Sequence, residues 1–372
     1  MVRLKMAPMP TVYFLIPGAR IPEEALKSVL DKPLAAKLET AFNGLGEARI
    51  EQLSGGILSP FSRCAHHLWF WSVVTRARTT PAHAGYVWLE DHGPALATEV
   101  WDVTPCRLEA GRTLSMADDP LSAEEIDRCS PAIRAVLEKE GFVLQQWDEL
   151  WYASRTKDWD AVVRPWECQA GFAFDETAAE GNRERAFSLM QRLGEAITES
   201  DVARERRAAG RPAPDFVWVS GGGRPVRFYP PTKIRAVLSD EPVLRSWAME
   251  AGILCQYVGK TSELEWPSDA PPGDVIAVVS DLWAPWLAGD WQAWARALPG
   301  ALEKIATIRE KALARKDETA VFIACGNGTA ATLAPAKAGL KSRLLARFAK
   351  KAPADLSWLV DLAPSGAQGG DA

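Results

Sequence analysis

After His92 this 372-residue chain has no histidine, and all four of its histidines fall between His66 and His92. That absence argues against two-metal phosphoryl-transfer chemistry run through the second half, where dications would need histidine as well as aspartate ligands. The six cysteines (Cys64, Cys106, Cys129, Cys168, Cys255, Cys325) form no C-x-x-C pair. Neither a zinc knuckle nor a small disulfide framework is predicted, and a reducing, cytoplasmic setting fits best. No run of about 18 apolar residues occurs, so no membrane-spanning helix is expected. The apolar run Val12 to Ile16 stops at Pro17-Gly18 and is too short for a signal peptide. A net charge of -5 gives no pull toward nucleic acid or an anionic membrane. G-x-S-x-G is missing, and the glycine triplet has neither G-x-G-x-x-G spacing nor a following G-K-[ST].

What is present in quantity is tryptophan, with 16 residues against 5 tyrosines. Many sit among apolar neighbours (Trp69, Trp71, Trp88, Trp218), where a large indole serves as core payload. Hydrophobic content of 47% with 24% charged residues places the chain among ordinary globular proteins. Its length predicts two domains or one large α/β domain with an insertion, since single cores stop growing at roughly 250–300 residues.

Thr11 to Ile16 (TVYFLI), closed by Pro17-Gly18, reads as a buried first strand. Pro22 opens a helical stretch broken at Pro33. Tyr86 to Arg112 reads as short strands separated by turns, with His83 and His92 flanking the first. Ser122 to Lys139 begins with S-x-x-E, carries helical apolar spacing and ends at Gly141. A long helix is expected over Glu180 to Thr198 and a buried strand over Phe216 to Val219. Beyond them come a helix at Val243 to Ala251, a strand at Asp274 to Ser280, a helix at Trp291 to Ala314 and a strand at Thr319 to Ala324. Strands alternating with helices predict a mainly parallel sheet covered by helices. The expected division is 1–80 and 201–350 as two parts of an α/β core, 81–200 as an additional α+β segment, and 351–372 as a partly disordered tail.

Three groups of residues are candidates for chemistry. Ser220-Gly221-Gly222-Gly223 follows a strand, where glycines let backbone amides approach an anion, and Arg206, Arg207 and Arg224 are close in sequence. The competing reading is a crossover whose glycines serve tight turns. Asp281 and Asp290 lie past the end of a strand, where α/β folds place their chemistry, and two carboxylates could share a hard cation; an N-cap role competes. His66 and His67 are adjacent, so on a helix they point about 100° apart and are not expected to face one metal together.

The stretch from Phe187 through Glu205-Arg206-Arg207, Gly210, Pro212 and Trp218 to Gly221-Gly222-Gly223 resembles the signature region of the RpfE-type regulatory proteins of proteobacteria. That family is distantly similar to the archaeal-type cofactor-independent phosphoglycerate mutases. The resemblance spans most of the chain, from the Val12 strand to about Phe348, and is specific in its central region. It implies an alkaline-phosphatase-like core and, in the mutases, a serine nucleophile between two metals held by aspartates and histidines. The family's T-D-E-A-G-H-D segment falls at Ser280 to Trp286, keeping Asp281 and placing Pro285 near the histidine position. Its A-D-H-G-T segment falls at Ala324 to Thr329, with Cys325 and Gly326 in place of the ligands. LIPGARIPE lacks the aspartate expected after the first strand, and Ala203 and Asp215 replace the central asparagines.

The resemblance thus implies a non-catalytic relative with no metal and no cofactor, regulatory through an anionic small molecule or a protein partner. Arg206, Ser220, Gly221, Gly222, Gly223 and Asp281 are the candidate ligand-binding residues. The alternative is a phosphomutase or phosphatase-type enzyme, metal-dependent or not, using Asp281, Asp290 or the early histidines in a remodelled site. A third possibility is a scaffold that recognises a protein through exposed tryptophans.

Overall fold

The computed structural model describes residues 10–53, 56–76, 81–92, 99–109, 112–114, 119–147, 149–172, 178–223, 226, 228–229, 233–259, 273–313, 319–335 and 356–361. The chain divides into two compact units. One comprises Met1–Ile57, Ser62–Arg76 and Phe228–Pro364, and the other Leu58–Phe61, Ala77–Arg227 and Ser365–Ala372.

In the first unit the run TVYFLI becomes the Thr11–Ile16 strand at the middle of a seven-stranded sheet. It pairs in parallel with Asp274–Val278 on one side and Thr319–Cys325 on the other. Ile234–Leu238 and Leu254–Gln256 extend the parallel array, while Thr329–Leu333 and Arg49–Gln52 close the opposite edge antiparallel. A strand buried on both faces reads as continuous apolar sequence, which is why the first strand was legible. Val12, Phe14 and Ile16 join Ala277, Phe322 and Trp294 in one core, which also takes in residues of the helices Glu23–Val29, Lys32–Ala41 and Trp291–Leu313. Tyr13 points the other way, its ring 6.5 Å from Trp69 on the helix Ala65–Thr75. The Ile234–Leu238 strand and the antiparallel edge were not anticipated.

The second unit is built on an antiparallel sheet in the order Phe216–Ser220, Glu99–Glu109, Leu150–Arg155, Val143–Trp147. The helices Ala123–Lys139 and Arg183–Thr198 bury Ile126, Ile133, Leu189 and Leu193 in the same core as Trp101, Trp151 and Val217. The expected capping box is present, with Ser122 Oγ accepting from the Glu125 amide at 3.2 Å and Glu125 accepting from the Ser122 amide at 2.9 Å.

Two expectations change. Phe216–Ser220 was assigned to the second part of the α/β core within 201–350, but it pairs with Glu99–Glu109, and the chain re-enters the first unit at Phe228. Tyr86 begins no strand: Ala84–His92 is a helix, and the paired strand starts at Glu99. The Gly221 carbonyl accepts the His83 and Ala84 amides at that helix start, and Trp88 packs edge-on to Tyr152. The expected disorder of the tail from Ser365 falls outside the described residues.

Candidate functional site

The Ile234–Leu238 strand runs out at its carboxyl end into Ser239-Asp240-Glu241. Both sides of this turn are pinned. The Ser239 amide donates to the Gln256 carbonyl, and Asp240 Oδ1 accepts from the amides of Val258 and Gly259 at 2.9 Å each. Glu241 is the N-cap of the Pro242–Glu250 helix, yet its side chain caps no helical amide. It reaches instead to the first turn of the Ala65–Thr75 helix.

There His66 Nε2 and His67 Nε2 lie 2.9 Å and 3.0 Å from the same oxygen, Glu241 Oε2. The expectation that adjacent histidines cannot face one centre is overturned, because side-chain rotation brings the two rings to a centroid separation of 4.2 Å. Trp283 stands edge-on to His66 at 4.6 Å, and Trp247 edge-on to His67 at 5.7 Å. Both imidazoles are buried. Burial, aided by His66, pushes the His67 imidazole down to about 4, against the opposing pull of Glu241. Burial alone would raise the Glu241 carboxyl, but the two imidazoles outweigh it and hold the group below the usual carboxylate range. Two nitrogens and a carboxylate, all within 4.8 Å of one another, are close enough to share one cation.

No protein-family model matches the chain. No curated protein matches it either. Two solved structures align over most of its length. A protein from Pyrococcus horikoshii is 14% identical, with 88% of each chain covered and a TM-score of 0.46. The cofactor-independent phosphoglycerate mutase from Thermoplasma acidophilum is 10% identical, covering 90% of this chain and 91% of its own, with a TM-score of 0.37. Neither likeness carries the reading of the site, which rests on the residues themselves.

The residues singled out in the sequence are not brought together. Asp281, in the first unit, forms an ion pair with Lys304 at 2.9 Å. Asp290 takes the N-cap role, accepting from the Ala293 amide at 2.8 Å. Arg206 and Ser220 to Gly223 belong to the second unit. Arg206 is fully buried and all five of its N–H donors are used within the protein. Nε and Nη2 hold the Glu125 carboxylate, Nη2 also reaches the Pro120 carbonyl, and Nη1 reaches the carbonyls of Asp119 and Pro212. None is left for an anion. The glycine triplet is accounted for by close approach, since a Cβ on Gly222 would stand 1.9–2.3 Å from atoms of the Trp101 indole.

The Arg206 pairing carries a pH consequence. Its hydrogen bonds lower the Glu125 carboxyl from 4.5 to about 2. A carboxylate depressed on folding contributes stability that is complete above its unfolded value and lost as pH falls through its folded one. Urea titrations from pH 5 down to pH 2 are therefore expected to show a stability decline over 4.5 to 2 that is shallower in Glu125→Gln. Equal slopes would mean that the pair contributes nothing to the acid limb.

Sequence reasoning missed Glu241 altogether. No local motif marks it, and only the return of the Ile234–Leu238 strand to the sheet places it against His66 and His67. It also missed Arg20 and Asp361. Asp361 Oδ1 accepts from the Thr329 hydroxyl at 2.7 Å and pairs with Arg20 Nη1 at 3.2 Å, and Oδ2 accepts from the Asn327 amide. This network packs so tightly against Gly326 that a Cβ there would collide with the carboxylate.

Proposed function

We propose that the chain is a non-catalytic, phosphoglycerate-mutase-like protein of the RpfE regulatory type that acts by binding. The observation that carries this reading is the closure of the space beyond the first strand. Trp286 is 1% exposed, donates its indole N–H to the Arg20 carbonyl at 2.7 Å, and lies so near Gly18 that a Cβ there would be 2.7 Å from its own. Trp294, also buried, donates to the Gly18 carbonyl at 2.7 Å. The positions where the resemblance implies metal ligands do not fit a metal pair. Asp281 is neutralised by Lys304, and neither Pro285 nor Gly326 has a side-chain donor.

Mutase and phosphatase assays in manganese are expected to remain at background, and calorimetry with phosphorylated metabolites to give no heat. Turnover that disappears in Asp281→Ala would overturn the reading in favour of an enzyme with a remodelled site.

A further inference from the structure

We propose that His66, His67 and Glu241 form a binding site for a single divalent transition-metal ion of the zinc, cobalt or nickel class. The inference goes beyond the binding role above and does not depend on whether the protein turns over any substrate. It starts from the distances. With metal–nitrogen and metal–oxygen bonds of about 2.0–2.1 Å, a tetrahedral site sets its ligand atoms about 3.3 Å apart. The two imidazole nitrogens already stand 2.9 Å and 3.0 Å from Glu241 Oε2, so an outward shift of a few tenths of an ångström admits an ion.

A second observation points independently to a ligand. Glu241 Oε1 is buried and has no hydrogen-bond partner. Both histidines crowd onto Oε2 while the neighbouring oxygen of the same carboxylate is left unsatisfied, a state that costs more for a charged group than for a neutral one. A cation seated between the rings and the carboxylate would be reached by either oxygen and would relieve that cost. Burial of the imidazoles favours their neutral, metal-ligating form.

The surrounding framework is built to hold these donors still. The Ser239 to Glu241 turn is fixed by backbone hydrogen bonds, and Trp283 is anchored by its indole N–H on the Arg63 carbonyl at 3.1 Å. Ligands that need not be ordered on binding retain more of the intrinsic affinity. The donor set also selects the ion. Two imidazoles and one carboxylate suit zinc and its transition-metal neighbours, whereas magnesium and calcium prefer all-oxygen shells. Three protein donors leave a fourth position for solvent or an exogenous ligand.

The test uses the full chain, stripped with a chelator and titrated with zinc chloride by calorimetry and with cobalt chloride by visible absorption. The expected result is one ion per chain, the intense d–d absorption of a tetrahedral cobalt centre, and a thermal midpoint that rises with zinc. In His67→Ala and in the isosteric Glu241→Gln, affinity is expected to fall by more than about tenfold and the cobalt absorption to be lost. Circular dichroism establishes folding, and Glu241→Gln preserves the packing should His67→Ala not fold. Absence of stoichiometric binding to the parent chain, or binding of equal strength in a folded Glu241→Gln variant, would overturn the proposal and leave a hydrogen-bonded His–His–Glu cluster. Mutase and phosphatase activity is read separately, so that the metal site and the binding role can fail independently.

Discussion

Arg206→Ala is expected to destabilise the second unit by about 3–5 kcal/mol, the range for removing one partner of a buried ion pair. The guanidinium is 1% exposed and serves three acceptors besides Glu125: the carbonyls of Asp119, Pro120 and Pro212. Truncation leaves all of them without their donor and strands a carboxylate that also belongs to the Ser122 capping box. Arg206→Lys should recover only a small part of the loss, because an ammonium cannot reproduce a five-donor planar fork. Denaturant unfolding followed by circular dichroism measures both. An arginine used for an anionic ligand behaves differently, losing affinity with little change in the stability of the free protein. A loss below about 1 kcal/mol, the scale of an exposed pair, would show that the clamp is not structural.

The second large effect is expected at Trp286. Trp286→Ala removes a fully buried indole from the core of the first unit and leaves the Arg20 carbonyl without its donor. Large-to-small changes of this kind cost about 3–5 kcal/mol, with the larger values where the site cannot collapse. Collapse is hindered here, since Gly18 beneath it adopts φ +66 and already touches the Trp286 Cβ and the Leu282 carbonyl. Trp286→Phe should cost less, because most of the volume is retained. If Trp286→Ala instead left stability unchanged in a urea titration, the space beyond the first strand would be an open cleft rather than core. The closure argument for a non-catalytic role would then fail with it.

Much of the fold was legible locally. The Thr11–Ile16 strand, the capped Ala123–Lys139 helix and the alternation from Pro242 to Cys325 follow from apolar periodicity, cap chemistry and glycine placement, which act over a few residues. Short or partly polar strands were not legible. Arg49–Gln52 carries one apolar residue and is a strand only because Thr329–Leu333 offers it a ladder. Ala84–His92 misled because a Tyr-Val-Trp-Leu run suits strand and helix alike, and the choice was made by a distant carbonyl, that of Gly221, at the helix start.

The sequence by itself determined a mainly parallel α/β architecture, the tryptophan-rich interiors and the loss of late histidines, because composition and period are properties of the chain alone. Only the tertiary structure decided what the polar residues do. Arg206 looked like an anion ligand until Glu125 and three carbonyls converged on it from 81 to 87 and 6 positions away. His66 and His67 looked divergent until Glu241, 174 and 175 positions distant, was delivered by a strand end to the same point. Charge and hydrogen bonding act over a few ångströms in space, and separation along the chain does not report that distance.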